Sequence, residues 1–123
     1  MAPPNELTGH VVVCGMGHVG FRTVQLLVAL NEKVVVVTEK ARDERVRAAR
    51  QGGAIVLFGD ARDQNLLAEE AGLAKAKAII AATSSDTTNV EIALDVKRLA
   101  PHVAVVARIF DQHLARSFEK AFG

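Results

Sequence analysis

The segment Val11-Val12-Val13-Cys14-Gly15-Met16-Gly17-His18-Val19-Gly20 constrains the fold more than any other part of this chain. Four apolar residues run without alternation into glycines spaced G-x-G-x-x-G. A continuous apolar run suits a strand buried on both faces of a parallel sheet. Helical spacing begins at once: Gly20, Val24 and Leu27 stand at i, i+4 and i+7, with Phe21 and Val28 beside them. In a strand–turn–helix unit, Gly15 permits the tight turn and Gly17 lets the backbone approach a pyrophosphate. Gly20 lets the helix pack close to the strand. The first free N–H groups of that helix face the anion, helped by the helix dipole. The bland alternative is a glycine turn that only packs tightly.

The same grammar recurs downstream. Val34 to Val37, Ala54 to Phe58, Ala78 to Ala82 and Val103 to Ala107 are further apolar runs. Between them lie helical stretches: Ala41 to Gln51, mostly polar with Val46 and Ala49 inward; a shorter one carrying Leu66, Leu67 and Ala71 before Gly72; and Ile92, Val96 and Leu99, stopped by Pro101. Alternating strand and helix is what right-handed crossovers between parallel strands require. The expected fold is α/β: a single-domain, Rossmann-like, doubly wound parallel sheet of five strands in a three-layer sandwich. Residues 1–9, with Pro3, Pro4 and Asn5, read as a flexible lead-in, and residues 10–123 as the domain.

Composition narrows the function classes. A chain of 123 residues leaves no room for a second ordinary domain. With 15 basic and 14 acidic residues the net charge is +1, giving no overall pull toward nucleic acid or anionic lipid. The aromatics are five Phe, so stacking platforms for single strands are not expected. One cysteine forms no internal disulfide, which fits a reducing compartment. No apolar run approaches the roughly 20 residues of a membrane helix, and no secretory signal is visible. His10, His102 and His113 lack ligand spacing, so no metal site is expected. Cys14 reads as a small buried apolar residue rather than a nucleophile.

The remaining candidates sit where parallel sheets collect ligands, at the carboxyl ends of strands. Glu39 ends the second run nineteen residues after Gly20. A carboxylate there accepts hydrogen bonds from both ribose hydroxyls of an adenosine and repels a 2′-phosphate. Lys40 and Arg42 follow; they suit a 2′-phosphate or simply solvated positions at a helix start. His18 can donate to a terminal phosphate or face solvent. In Gly59-Asp60-Ala61, Asp60 can bond an adenine amino group, orient the loop or cap a helix. In Thr83-Ser84-Ser85-Asp86-Thr87-Thr88-Asn89, Thr83 and Ser84 can touch ribose or phosphate, Ser85 or Asp86 caps the helix, and Asn89 can reach back toward the site. Arg108 is either a phosphate partner or half of a structural ion pair.

Taken together, these pieces resemble the N-terminal nucleotide-binding lobe of the regulator-of-potassium-conductance family, also called RCK, KTN or TrkA-N. The resemblance covers about His10 to Gly123. It rests on Val12 to Gly20, Glu39, Gly59-Asp60-Ala61, Ala81-Ala82 with Thr83 to Asn89, and Ala107-Arg108. It implies a cytoplasmic, non-enzymatic module that controls a potassium channel or transporter, binding NAD(H), ATP, ADP or AMP and working as a homodimer or larger ring. By the same resemblance, Gly15, Gly17 and Gly20 hold phosphates and Glu39 the adenosine ribose, Asp60 and Ala61 lie near adenine, Thr83 and Ser84 line the pocket, and Arg108 approaches phosphate. Met16, His18, Val19, Lys40 and Asn89, in or beside the same segments, complete the candidate cofactor-binding set. Many members carry Arg where this chain has His18. The family's lobe continues into another strand and a C-terminal lobe, which would make this chain a fragment of a larger subunit.

Two alternatives accompany that reading. One is an NAD(P)-dependent oxidoreductase domain lacking its substrate domain, although no Tyr is available as a proton donor. The other is a scaffold with a vestigial pocket. Near the end, Phe110, Leu114, Phe118 and Phe122 recur every four residues as one apolar stripe. It packs on the domain's own sheet or forms an isologous dimer contact.

Overall fold

The computed structural model describes residues 3–122, the side chains of Asn5 and Phe122 aside. Five strands, β1 (Val11–Cys14), β2 (Val34–Thr38), β3 (Ile55–Phe58), β4 (Ala78–Ala81) and β5 (Ala104–Ala107), form one sheet in the order β3-β2-β1-β4-β5. All four pairings are parallel, with Val12 level with both Val35 and Ile79. This is the doubly wound sheet that the apolar runs predict. Each strand end agrees with its run to within one residue.

Helices α1 (His18–Ala29) and α2 (Asp43–Gln51) belong to one side of the sheet, and α3 (Asp86–Leu99) to the other. The strands alternate between two cores. Val11, Val13, Val34 and Val36 face α1 and α2 together with Val24, Val46 and Ala49. Val12, Cys14, Val35, Val37 and Ile79 face Leu67, Leu73, Ile92 and Val96. Both faces of β1 and β2 are thus covered, which accounts for their unbroken valine runs.

Several details depart from the sequence expectation for physical reasons. Helix α2 starts at Asp43, because Arg42 is still extended (ψ 139°). The stretch after Asn65 is a single π turn, Leu66–Glu70, and Gly72 then turns left-handed (φ 65°) into a short 3-10 turn at Leu73–Lys75. The lead-in is partly built in: Pro4–Glu6 forms a 3-10 turn, and Leu7 packs against the α3-side core. The last helix, α4 (Gln112–Phe122), begins after Phe110, because Asp111 caps it by accepting from the Leu114 N–H at 3.0 Å. Leu114 and Phe118 are half-buried, Phe110 is 64% exposed, and the Phe122 side chain lies outside the described residues.

The junction of β1 and α1 is close-packed. A Cβ at Gly20 would lie 2.2 Å from the Gly15 carbonyl oxygen. Gly15 has φ 102°, and a Cβ there would lie 2.8 Å from the Ala82 carbonyl oxygen. Gly20→Ala should therefore cost about 2–3 kcal/mol, read as a lower urea midpoint at unchanged slope. Cys14 is fully buried, and burial pushes its thiol up to about 12. It should resist thiol reagents at pH 8 in the native state and label only at the rate of unfolding, as mass spectrometry of a time course would show.

A cleft at the switch point of the sheet

Strand β1 has β2 on one side and β4 on the other, so the connections leaving their carboxyl ends diverge to opposite faces. A cleft of about 340 Å³ opens there, a size within the range of small-ligand pockets. Its floor is the glycine turn. The Gly15 N–H donates to the Val37 carbonyl at 2.9 Å, fixing the turn to β2. Met16 borders the cleft but is itself buried in the α1-side core. Its carbonyl accepts from the Arg45 guanidinium at 3.3 Å, and that guanidinium also lies 5.7 Å from the Phe21 ring centroid.

Gly17 differs from its two neighbours in the motif. A Cβ there would meet nothing within 4 Å, and its φ of −72° suits any residue. The fold itself does not demand glycine at this point; the space above it is open. Gly17 is also the N-cap of α1. No side chain caps that helix, and its first turn carries no acidic residue, whereas α2 and α3 both begin with acids. Backbone N–H groups at the start of α1 are left for another acceptor.

The opposite rim carries both signs of charge. Glu39 and Asp60 both line the cleft, as do Lys40 and Arg62. The Asp60 carboxylate takes the Arg62 backbone N–H at 2.8 Å and its guanidinium at 2.7–3.1 Å. Those hydrogen bonds from Arg62 hold the Asp60 carboxyl down at about 2. Arg62 also lies 3.7 Å from Glu91. Asp60 is thus an Asx-turn residue with a bidentate ion pair. Helix-start capping in this stretch falls instead to Asp63, which accepts from the Asn65 and Leu66 N–H groups.

The third wall is the segment after β4. Thr83, Ser84 and Ser85 line the cleft, and the Ser85 hydroxyl caps α3 by accepting from the Thr88 N–H at 3.2 Å.

Of the residues singled out from sequence, Gly15, Met16, Gly17, Glu39, Lys40, Asp60, Ala61, Thr83 and Ser84 border this cleft. His18 is exposed at its edge, outside the lining, while Val19 and Gly20 sit in the first turn of α1 behind it. Asn89 and Arg108 are not part of the lining. Asn89 is fully buried, with its amide spent on Thr83 and Arg108. The Arg108 guanidinium donates to the Thr83 carbonyl at 3.2 Å and lies 4.0 Å from the Phe110 ring centroid. Val37, Thr38, Gly59, Arg62 and Thr88 complete the cleft without having been singled out as site residues from sequence. Of these, Arg62 carried a signal, an arginine two residues after an Asx-turn aspartate.

Among the described residues no group of three His, Cys, Asp or Glu could hold a metal ion, and no helix is long and apolar enough to cross a membrane.

Comparison with known proteins agrees with this architecture. The chain is 35% identical over 107 residues to the glutathione-regulated potassium-efflux system protein KefC of Escherichia coli, covering 87% of this chain and 17% of KefC. It is 31% identical over 116 residues to an uncharacterized protein of Methanothermus fervidus, of which it spans 18%. The chain therefore matches less than a fifth of the length of these relatives. Among solved structures, the TrkA-N domain of the Escherichia coli inner membrane protein YbaL superposes with a TM-score of 0.79 at 22% identity, over 94% of this chain and 83% of that one. The GsuK channel bound to NAD superposes with a TM-score of 0.77 at 26% identity, over 94% of this chain and 20% of that one. The description "TrkA-N domain" fits residues 11–122, from the first residue of β1 to the last of α4, and the chain belongs to that family.

Proposed function

We propose that this domain is a nucleotide sensor that regulates a potassium channel or transporter from the cytoplasmic face of the membrane. Its ligand is an adenine nucleotide: NAD(H), or ADP, ATP or AMP. The observation that carries this reading is the start of α1, uncapped, free of acid and facing open space at Gly17. Such an end holds an anion by main-chain N–H groups and the helix dipole. A GsuK structure bound to ADP and another bound to NAD support the same ligand class.

In this reading the N–H groups from Gly15 to Gly20 hold the phosphates, with His18 beside them. Glu39 accepts from the ribose hydroxyls, with Lys40 next to it. Asp60 and Ala61 flank the adenine, and Thr83 and Ser84 close the third side. Asn89 and Arg108 support the wall. The cleft lining carries Glu39 and Asp60 against Lys40 and Arg62, so its side-chain charges cancel. Binding of the phosphates then rests on the backbone. That arrangement favours a pyrophosphate bridge over a terminal triphosphate, which wants a cation at its far end.

The domain performs no chemistry of its own here. A ligand gates by binding one assembly state better than another, and a coupling of about 1–3 kcal/mol is ordinary. The assembly is a homodimer or larger ring attached to the ion-conducting subunit. The exposed Phe110 and the half-buried Leu114 and Phe118 of α4 are suited to such a contact.

Calorimetry with NAD, NADH, ADP, ATP and AMP tests the ligand class. Saturable heats with at least one of them are expected, and silence with all five would end the proposal. Gly17→Ala should keep the urea midpoint nearly unchanged while lowering nucleotide affinity at least tenfold, about 1.4 kcal/mol. Glu39→Ala should weaken adenosine ligands by roughly 1–3 kcal/mol; unchanged affinity would remove Glu39 from the site.

Asp60 gives a pH signature. Its folded value, about 2, lies below the ordinary 3.8, so it favours the folded state above about pH 4. That contribution fades as pH falls toward 2. A carboxyl carbon NMR titration should find Asp60 near 2 in the parent and close to its ordinary value in Arg62→Ala.

A further inference from the structure

The fully buried Asn89 side chain joins two segments that are remote in sequence. Its Oδ1 accepts from the Thr83 N–H at 3.0 Å and from the Thr83 hydroxyl at 2.7 Å. Its Nδ2 donates to the Thr83 carbonyl at 3.1 Å and to the Arg108 carbonyl at 2.8 Å. Every polar direction of the amide is used, so truncating it strands buried groups on both sides. Arg108 returns the contact, its guanidinium donating to the Thr83 carbonyl at 3.2 Å.

A second tie starts three residues earlier on the same helix turn. The Asp86 carboxylate accepts from the Phe110 N–H at 3.0 Å and from the Asp111 N–H at 2.8 Å. Those amides hold its carboxyl below the usual range. Asp111 is the cap of α4. The first turn of α3 therefore grips the cleft wall, Thr83 to Ser85, and the lead into α4, Arg108 to Asp111. Arg108 to Asp111 run directly into α4 and supply its cap, so the tie reaches the start of that helix.

We propose that Asn89 is a positioning residue that makes the Thr83–Ser85 wall and the Arg108–Asp111 lead one mechanical unit, so that what occupies the cleft is felt at α4. The ligand arm of this inference rests on the nucleotide reading above; the tie itself does not. Coupling of this kind travels through a network with shared partners, and perturbing one end must register at the other.

Amide hydrogen exchange by NMR tests the tie from both ends in the ligand-free chain. In Asp86→Ala the Phe110 and Asp111 amides lose their acceptor and should exchange at least tenfold faster. The Thr83 amide keeps its own acceptor, yet should accelerate severalfold. In Asn89→Ser the Thr83 amide is released directly, and the Phe110 and Asp111 amides, with Asp86 intact, should accelerate severalfold. Acceleration confined to the directly cut end in Asp86→Ala overturns the proposal, whether or not the Asn89 variant folds.

The ligand arm uses NADH and ADP at saturation, verified by calorimetry on the same samples. Either ligand should slow the Phe110 and Asp111 amides severalfold in the parent chain. In Asp86→Ala affinity should stay within about threefold while that slowing disappears. Bound ligand with no change at Phe110 and Asp111 in the parent refutes transmission. Absence of heat refutes the nucleotide reading instead, and the two-ended exchange result then decides the tie alone.

Discussion

The approach of α1 to β1 at Gly20 and Gly15 is the contact on which the rest of the architecture depends. With no side chain at Gly20, the first turn of α1 can lie directly on the Gly15 carbonyl. The helix start is thereby fixed at the tip of the central strand, level with the ends of β2 and β4. Gly15 supplies the reversal, and the Gly15–Val37 and Ala82–Cys14 hydrogen bonds pin the turn from both sides. Any side chain at Gly20 would push α1 away and widen the floor of the cleft.

Electrostatics in the cleft follow from how its cations are used. Arg62 is paired with Asp60, Arg45 braces the Met16 carbonyl, and Arg108 braces the Thr83 carbonyl and covers the Phe110 ring. Three guanidinium groups near the sheet tips thus hold loops in place. Beyond Lys40, whose charge the lining acids offset, the attraction left for an anion is that of aligned peptide dipoles, which is short-ranged and directional. A site of this kind selects by shape and main-chain geometry more than by net charge.

Much of this was legible in the chain because the relevant signals are local. Unbroken apolar runs ending at Gly15, Thr38, Gly59 and Thr83 marked strands, of which β1 and β2 are covered on both faces, and their carboxyl ends marked the cleft. What escaped was decided by contacts between distant residues. Asn89 could be seen to reach back toward the site, but its partnership with Arg108 spans nineteen residues and exists only once β4 and β5 are paired. Arg108 stood at a strand end like a ligand residue, while the direction of its side chain was set by the Thr83 carbonyl and the Phe110 ring. The spacing of Leu66, Leu67 and Ala71 announced a helical face without revealing a π turn, since that depends on how Leu66 and Leu67 bury themselves beneath the sheet. Of the apolar stripe, Leu114 and Phe118 lie on α4, whereas Phe110 falls before it because Asp111 provides the cap.

The strand order has a consequence for how the chain is made. Of these five strands β1 leaves the ribosome first, yet its second edge is closed only by β4, some sixty residues later in the chain. Until Ala78 to Ala81 emerge, a nascent β1-β2-β3 unit displays an open valine edge able to pair with any passing strand. Translation through this interval leaves the newborn domain open to aggregation and to capture by chaperones.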